Sequence, residues 1–369
     1  MKRTFTLFLI LLFLSIQILP NTIYRNSKVK KVNLAILLDT SSSMDGLINQ
    51  ARSELWRIVN EIAALSKQMP DTKLELSISI FEYGNDKLSK TDNFIRLVNQ
   101  LTQDLDQVSD NLFALKTYGG YEYCGAVMLE ALQKLEWAKE KDALKLIVIA
   151  GNEPFNQGPV DFREVCKKAV EQGIKINTIY CGNPDNSEAD EWRTAANLGK
   201  GTFMSINQND KQEEIPTPYD DKILELNSAL NDTYIYFTSA GKEAKYRQEK
   251  SDEDIQSTSK AGSIDRAATK STEFYDNSGW DLIDASKNGD FNVQKIDKTL
   301  LPEKFQKFTD SELLELIAKY SAEREKIKEE IKNYQALRNK YLIDNIKTEV
   351  KNTFGGALIE SIKHELKIK

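Results

Sequence analysis

At 369 residues the chain is long enough for two or three domains and a sizeable core. Its 40% apolar and 29% charged residues exclude a disordered or fibrous protein. The net charge of −6 is unevenly placed: residues 32–240 hold 20 Lys and Arg against 32 Asp and Glu, whereas residues 241–369 hold 24 of each. No basic face is offered to a phosphate backbone, which argues against a nucleic-acid partner, and the acidic region suits a cation as well as it suits solubility.

Lys2 and Arg3 precede an apolar stretch from Phe5 to Leu19, interrupted by Thr6, Ser15 and Gln17. That length matches a signal-peptide core and is short for a membrane span. No small-x-small pattern precedes Asn21, so residues 1–20 read as a signal peptide or an uncleaved N-terminal anchor. The expectation is an exported chain: periplasmic, secreted or held on the outer side of the cytoplasmic membrane. A membrane enters only through that anchor.

Val32 to Leu38 is an almost unbroken apolar run, the signature of a strand buried on both faces of a parallel sheet. It stops at Asp39, and Thr40, Ser41, Ser42 and Ser43 follow before an amphipathic helix begins near Asp45. A carboxylate and several hydroxyls therefore stand at the C-terminal edge of a central strand, where open α/β sheets bind ligands. Asp39, Ser41 and Ser43 offer only hard oxygens, which suit Mg²⁺ or Mn²⁺ better than zinc. Asp, Ser and Thr also cap helix N-termini, and for a D-x-S-x-S pattern seen alone that role is an equally good explanation.

Further along, Gly46 to Gln68 has the apolar spacing of a helix with one buried face, and Lys73 to Tyr83 alternates as a half-buried strand. Asn93 to Leu101 reads as a strand placed antiparallel at the sheet edge. Helices follow at Thr102 to Leu115 and Gly125 to Lys139, then an apolar strand at Leu144 to Ala150. A helix at Asp161 to Gln172, a strand at Ile174 to Tyr180, a helix at Ala189 to Leu198 and a strand at Gly201 to Ile206 complete the series. This order predicts an α/β fold: a doubly wound, mostly parallel sheet with one antiparallel edge strand, followed by a largely helical C-terminal region. The domain limits expected are residues 32–239 for the α/β unit, 240–301 for a charged linker with a small cluster around Trp280, and 302–369 for a long helix and helical tail.

Within that second region, Asp220 to Asn231 reads as a closing helix, and residues 240–270 as exposed helix or linker. Thr309 and Glu312 form a capping box that opens the long helix. Positions 313, 317, 320, 324, 327, 331, 334, 338 and 341 recur at heptad spacing, with Arg324 and Arg338 breaking an otherwise apolar and tyrosine-lined seam. Such a helix either folds back on its own chain or forms a coiled coil with a partner.

The chain has three cysteines, Cys124, Cys166 and Cys181. In an exported protein an odd number leaves at least one free or paired with another chain, and Cys124 with Cys181 is the favoured pair because both fall near the ligand-bearing sheet edge. The one histidine, His364, lies in a charged tail, which leaves no imidazole to activate a nucleophile or to build a histidine-rich zinc site.

The run V-N-L-A-I-L-L-D-T-S-S-S-M resembles the first strand and metal loop of von Willebrand factor type A domains, and the order of elements from Val32 to Asn207 agrees with that fold. The resemblance implies a metal-ion-dependent adhesion site, with Ser41 and Ser43 on Mg²⁺ directly and Asp39 through water. The second metal loop of the family corresponds to Gly119-Gly120, but Tyr121 and Glu122 stand where a threonine is usual. The third corresponds to A-G-N-E-P after Ile149, with Ala150, Gly151 and Asn152 in place of T-D-G. Glu122 and Glu153 are the carboxylates able to substitute. G-G-Y-E-Y-C-G, A-G-N-E-P-F-N-Q-G-P and W-D-L-I-D-A also look like a bacterial exported subgroup of the family.

Three functions are expected in descending order. The first is a non-enzymatic, divalent-cation-dependent binding module of the cell envelope, whose partner is a protein or peptide presenting a carboxylate. The second is a scaffold acting through the C-terminal helix, with a vestigial metal loop. The third is a metal-assisted hydrolase using Glu122 or Glu153 as base.

Overall fold

In the computed structural model, which describes residues 28–69, 71–209, 214–345 and 353–366, six strands form one sheet. They are β1 (Lys28–Asp39), β2 (Thr72–Tyr83), β3 (Ile95–Thr102), β4 (Leu144–Gly151), β5 (Lys175–Tyr180) and β6 (Lys200–Ser205). Their order is β3-β2-β1-β4-β5-β6, with β3 antiparallel to β2 and every other pairing parallel. This is the expected doubly wound sheet with one antiparallel edge. The expected signal or anchor at residues 1–20 lies outside the described residues.

β1 is central, and its side chains alternate between two cores. Val32, Leu34, Ile36 and Leu38 enter the layer covered by α1 (Asp45–Lys67) and α2 (Leu105–Ala114). Ala35 and Leu37 enter the layer covered by α3 (Cys124–Lys134), α4 (Phe162–Glu171) and α5 (Glu188–Leu198). Being buried on both faces is what made the strand an unbroken apolar run in sequence. The strand order reverses between β1 and β4, so the ends of these two strands flank a topological switch point, the usual place for a ligand in an open α/β sheet.

After β6 the chain continues through α6 (Asp220–Asn231), α7 (Gly241–Thr258), α8 (Lys260–Lys270), the one-turn α9 (Leu282–Ala285), the long α10 (Asp310–Asn345) and α11 (Phe354–Leu366). Residues 240–270 were expected as exposed helix or linker; as α7 and α8 they are helical, with Lys242, Glu243, Tyr246, Glu249 and Glu253 of α7 exposed and most of α8 buried. Fully buried Arg266 on α8 donates to Asp106 of α2 at 2.6 Å and to Asp252 of α7 at 2.5 Å, and its guanidinium sits 4.4 Å from the Trp56 ring centroid. Fully buried Lys270 donates to Asp252 at 2.7 Å and to Asn231 at 2.8 Å. Two of the charges that made this stretch look solvated are thus buried and paired with acids of α2 and α7.

Trp280 packs beside Tyr234 at 5.9 Å, in a cluster with Leu226, Leu230, Tyr275, Ile327 and Ile331. The seam of α10 faces its own chain: Leu313, Ile317, Ile327 and Ile331 are buried. Its two arginines are the docking groups. Arg324 donates to Asp281 at 2.6 Å, to Asp284 at 2.8 Å and to the Thr233 carbonyl at 2.6 Å, and lies 3.9 Å from the centroid of the Tyr234 ring. Arg338 reaches Asp220 at 3.1 Å. The heptad positions that would have served a partner helix are used within the chain.

The last described helix, α11, returns to the first layer. Phe354, Leu358, Ile359, Ile362 and Leu366 join the core beside α1 and the sheet. Its N-terminus is met by Glu54 of α1, whose carboxylate accepts from Gly355 N at 2.5 Å and Thr353 Oγ1 at 3.0 Å, while Gln50 accepts from Phe354 N at 2.9 Å. A carboxylate at a helix N-terminus satisfies open N–H groups and opposes the positive end of the dipole.

The cysteine expectation is corrected. All three thiols are free and buried. Cys124 lies in the core of one sheet face and Cys181 in the core of the other, so the sheet itself separates them.

Candidate metal site at the carboxyl edge of the sheet

Asp39 is the last residue of β1 and is fully buried. Its Oδ1 accepts from Ser41 N at 2.8 Å, which bends the chain out of the strand in a tight Asx-type turn. Thr40 N donates to the Tyr83 carbonyl at 2.8 Å, and Thr40 Oγ1 to the same carbonyl at 3.2 Å and to Glu82 at 3.3 Å. These bonds fix the loop to the end of β2. Ser41 Oγ and Ser43 Oγ are 3.2 Å apart, so the turn brings both predicted hydroxyls together.

Helix capping, the ordinary explanation for these residues, does not describe them. Neither the short turn at Ser42–Met44 nor α1 has a side-chain cap bond at its N-cap position. The other oxygen of Asp39, Oδ2, is buried with no hydrogen-bond partner. Burial chiefly, with the charges of Glu122 and Glu153 adding to it, pushes the Asp39 carboxyl up to about 7, against the Ser41 bonds that pull it down.

The second loop is laid onto the first by backbone. Ser42 N donates to the Gly119 carbonyl at 2.9 Å and Tyr118 N to the Thr40 carbonyl at 3.0 Å, and Thr117 Oγ1 bonds Asp45 at the start of α1. Glu122 is 7% exposed, and its carboxyl is raised by burial and by Glu153 and lowered by the Ser41 hydroxyl. Two glycines make room for the acids. A Cβ at Gly84, whose φ is +80°, would lie 2.8 Å from Asp39 Oδ1 and 3.1 Å from Glu122 Cγ. A Cβ at Gly151 would lie 2.6 Å from the Tyr83 hydroxyl and 3.0 Å from Asp39 Oδ2.

In the third loop the side chain that reaches the serines is Asn152, whose Nδ2 is 3.3 Å from Ser43 Oγ. Glu153 receives Trp192 Nε1 on its carbonyl at 2.9 Å and contributes its charge to the setting of Asp39 and Glu122. Among the described residues, no group of three or more His, Cys, Asp or Glu is arranged to hold a metal by itself. The donors brought together at the end of β1 are one carboxylate and two hydroxyls, a hard-oxygen set. The unpartnered buried Asp39 oxygen and the space kept by Gly84 and Gly151 are the features a cation would satisfy.

Sequence reasoning placed Asp39, Ser41, Ser43 and Glu122 around one point but missed Gly84 and assigned no contact to Asn152. The available signal for Gly84 was its position immediately after a predicted strand adjoining β1. A cluster of rings beside the site was also missed. Phe94 stacks on Tyr121 at 4.6 Å and 15°, and both meet Tyr123 edge-on at 6.0 and 6.3 Å.

Residues 33–217 match the family model described as von Willebrand factor type A domain. Similar solved structures include the VWA domain of SpRpn10, at 19% identity and TM-score 0.36 over 47% of this chain and 87% of that one. BatB from Bacteroides thetaiotaomicron is 15% identical, with TM-score 0.36 over 62% of this chain and 98% of that one. The pilus adhesin SpaC from Lactobacillus rhamnosus GG is 9% identical, with TM-score 0.36 over 63% of this chain and 31% of that one. No curated protein matches the chain.

Proposed function

This chain belongs to the von Willebrand factor type A domain family, and from that premise we propose that it is a non-enzymatic binding module whose sheet edge holds Mg²⁺ or Mn²⁺ and takes a protein or peptide carboxylate. The supporting observation is the Asp39 carboxylate, buried with Oδ2 unpartnered, followed in the same turn by two adjacent hydroxyls that cap no helix. An uncompensated buried carboxylate costs several kcal/mol, and a cation with further oxygen ligands offsets it. Asp39, Ser41 and Ser43 would hold the ion, with Glu122 and Glu153 as lesser contributors. When bound, the ion supplies an electrophilic point that attracts an anionic oxygen. The chain's own part is to fix the two hydroxyls at the rim through the Ser41–Asp39 turn and to keep the carboxylate out of water.

The leader-like residues 1–20 support a place in the cell envelope, as in the exported subgroup the sequence resembles. Isothermal titration with Mg²⁺ and with Mn²⁺ tests the reading. Wild type is expected to give saturable heats that Asp39→Ala abolishes, and equal heats from both proteins would end it.

A further inference from the structure

Exposed large apolar side chains are scarce on the described surface, and two of them, Tyr118 and Tyr121, flank Gly119-Gly120 at 41% and 51% exposure. Single exposed apolar residues need no explanation, but a pair on the loop that backs a candidate site does. These two are built in. Tyr118 N is bonded to the Thr40 carbonyl of the metal loop, and the Gly119 carbonyl accepts from Ser42 N, so the backbone that carries the rings is tied to the serine loop. Tyr121 rests face to face on Phe94, whose φ of +58° follows an Asn93 at +56°, two consecutive left-handed residues at the start of β3. Tyr123, which meets both rings, is clamped from the third loop, where a Cβ at Gly158 would lie 2.5 Å from its ring. Tyr121, Tyr123 and Phe94 thus form one aromatic shelf backed by Gly158 of the third loop, with Tyr118 beside it on the same second loop. Lys87 completes the rim: its Nζ is 5.8 Å from the Tyr118 ring centroid and 4.0 Å from Asp86, with the side chain 68% exposed.

We infer that Tyr118 and Tyr121 are the second half of the ligand footprint, and that the partner is a peptide segment carrying an aromatic side chain close to its carboxylate. The inference rests on the cation reading above, because the acidic half of the partner is chosen by the ion at Asp39, Ser41 and Ser43. The aromatic half follows from the shelf. A tyrosine ring held by a stacked neighbour loses little freedom on binding, and it offers a face or an edge to another ring. Lys87 is balanced by Asp86 at the same rim, so the preference for an acidic segment comes from the ion.

The test uses fluorescein-labelled nine-residue peptides with a central Glu and a Trp or Phe scanned along each side, against the same peptides with Ala at the scanned position or Gln at the centre. Binding is measured by anisotropy in Mn²⁺ and in EDTA, alongside Mn²⁺ titration of the protein without peptide. The aromatic peptides are expected to bind at least ten-fold more tightly than the Ala peptides, in Mn²⁺ only. Tyr118→Ala with Tyr121→Ala should erase that difference, and Tyr121→Phe should keep it, with Mn²⁺ titration unchanged in every variant. Equal affinity for Trp and Ala peptides, or a preference that survives the double substitution or EDTA, overturns the inference. Mn²⁺ binding without aromatic preference sinks this inference alone. A wild type that takes up no Mn²⁺ sinks the function proposed above and this inference with it.

Discussion

Replacing Leu358 by Ala tests whether a helix some 140 residues beyond the family match belongs to its core. Leu358 is 0% exposed on α11 and packs in the cluster that contains Leu34, Leu55 and Trp56. Removing a fully buried leucine down to Cβ costs about 3–5 kcal/mol, the transfer of the lost atoms plus the cavity left behind. That is a large part of the roughly 5–15 kcal/mol that holds a domain folded. Trp56 lies in the same layer as Leu358 and Trp192 in the opposite one, both 0% exposed, so tryptophan fluorescence reports on both sides of the sheet. In urea the variant should unfold at a lower midpoint with an unchanged slope, whereas Leu314→Ala, at a position 49% exposed on α10, should move stability by less than about 0.5 kcal/mol. If Leu358→Ala behaves like Leu314→Ala, α11 is an appendage and the core is complete without it. For the same reason a chain cut before residue 302 is not a neutral probe of partner binding, since the cut also removes α11.

Gly84→Ala puts a methyl 2.8 Å from Asp39 Oδ1 at a φ of +80°, so Mn²⁺ titration should show weakened cation binding and urea a loss of about 1–3 kcal/mol, while Gly289→Ala, with nothing within 4 Å, should change neither. Arg266→Leu leaves buried Asp106 without its cation, while Asp252 keeps Lys270, and should cost about 3–5 kcal/mol by urea unfolding, with partial recovery when Asp106 is made Asn. Burial chiefly, against the nearby Arg338 and Arg57, raises the Asp265 carboxyl to about 6 from its ordinary 3.8. Its folded form therefore binds the proton more tightly than the unfolded chain does. The contribution is present below about pH 4 and lost as pH rises through 6, a fall of roughly 3 kcal/mol that Asp265→Asn should remove from a pH series of urea midpoints.

The α/β half was legible because its signals are local. Apolar runs bounded by turn residues gave the strands, and their alternation with amphipathic segments gave the parallel order. The turn that brings the Ser41 and Ser43 hydroxyls together after Asp39 was legible for the same reason, since it lies within five consecutive residues. What escaped was long-range pairing. Residues 240–270 look solvated by composition, yet Arg266 and Lys270 are fully buried because their partners come from α2, α6 and α7. A count of charges cannot tell a paired interior charge from a hydrated one. The heptad seam of α10 was visible, but the acids that draw its arginines inward, Asp281, Asp284 and Asp220, lie about 40 to 120 residues away. The cysteine pairing failed on topology: proximity to one sheet edge says nothing about which face a thiol enters.

The chain supplies its own control for the reading of Asp39. Among the described residues the buried acids are Asp39, Glu54, Glu82, Asp106, Glu122, Asp220, Asp281 and Asp284. Glu54 is paired with Arg57, Glu82 with Arg96, Asp106 with Arg266, Asp220 with Arg338, and both Asp281 and Asp284 with Arg324. Asp39 and Glu122 have no such bridge, and they are the two that share the space beside Gly84. The fold neutralises its most deeply buried carboxylates elsewhere with its own cations; apart from the part-exposed Asp265, which Arg338 and Arg57 influence without an ion pair, it departs from that habit at the switch point of the sheet. Poor packing does not account for it, since two glycines are shaped around these very carboxyl groups. The cation proposed above would account for it, entering at the two serine hydroxyls on the rim.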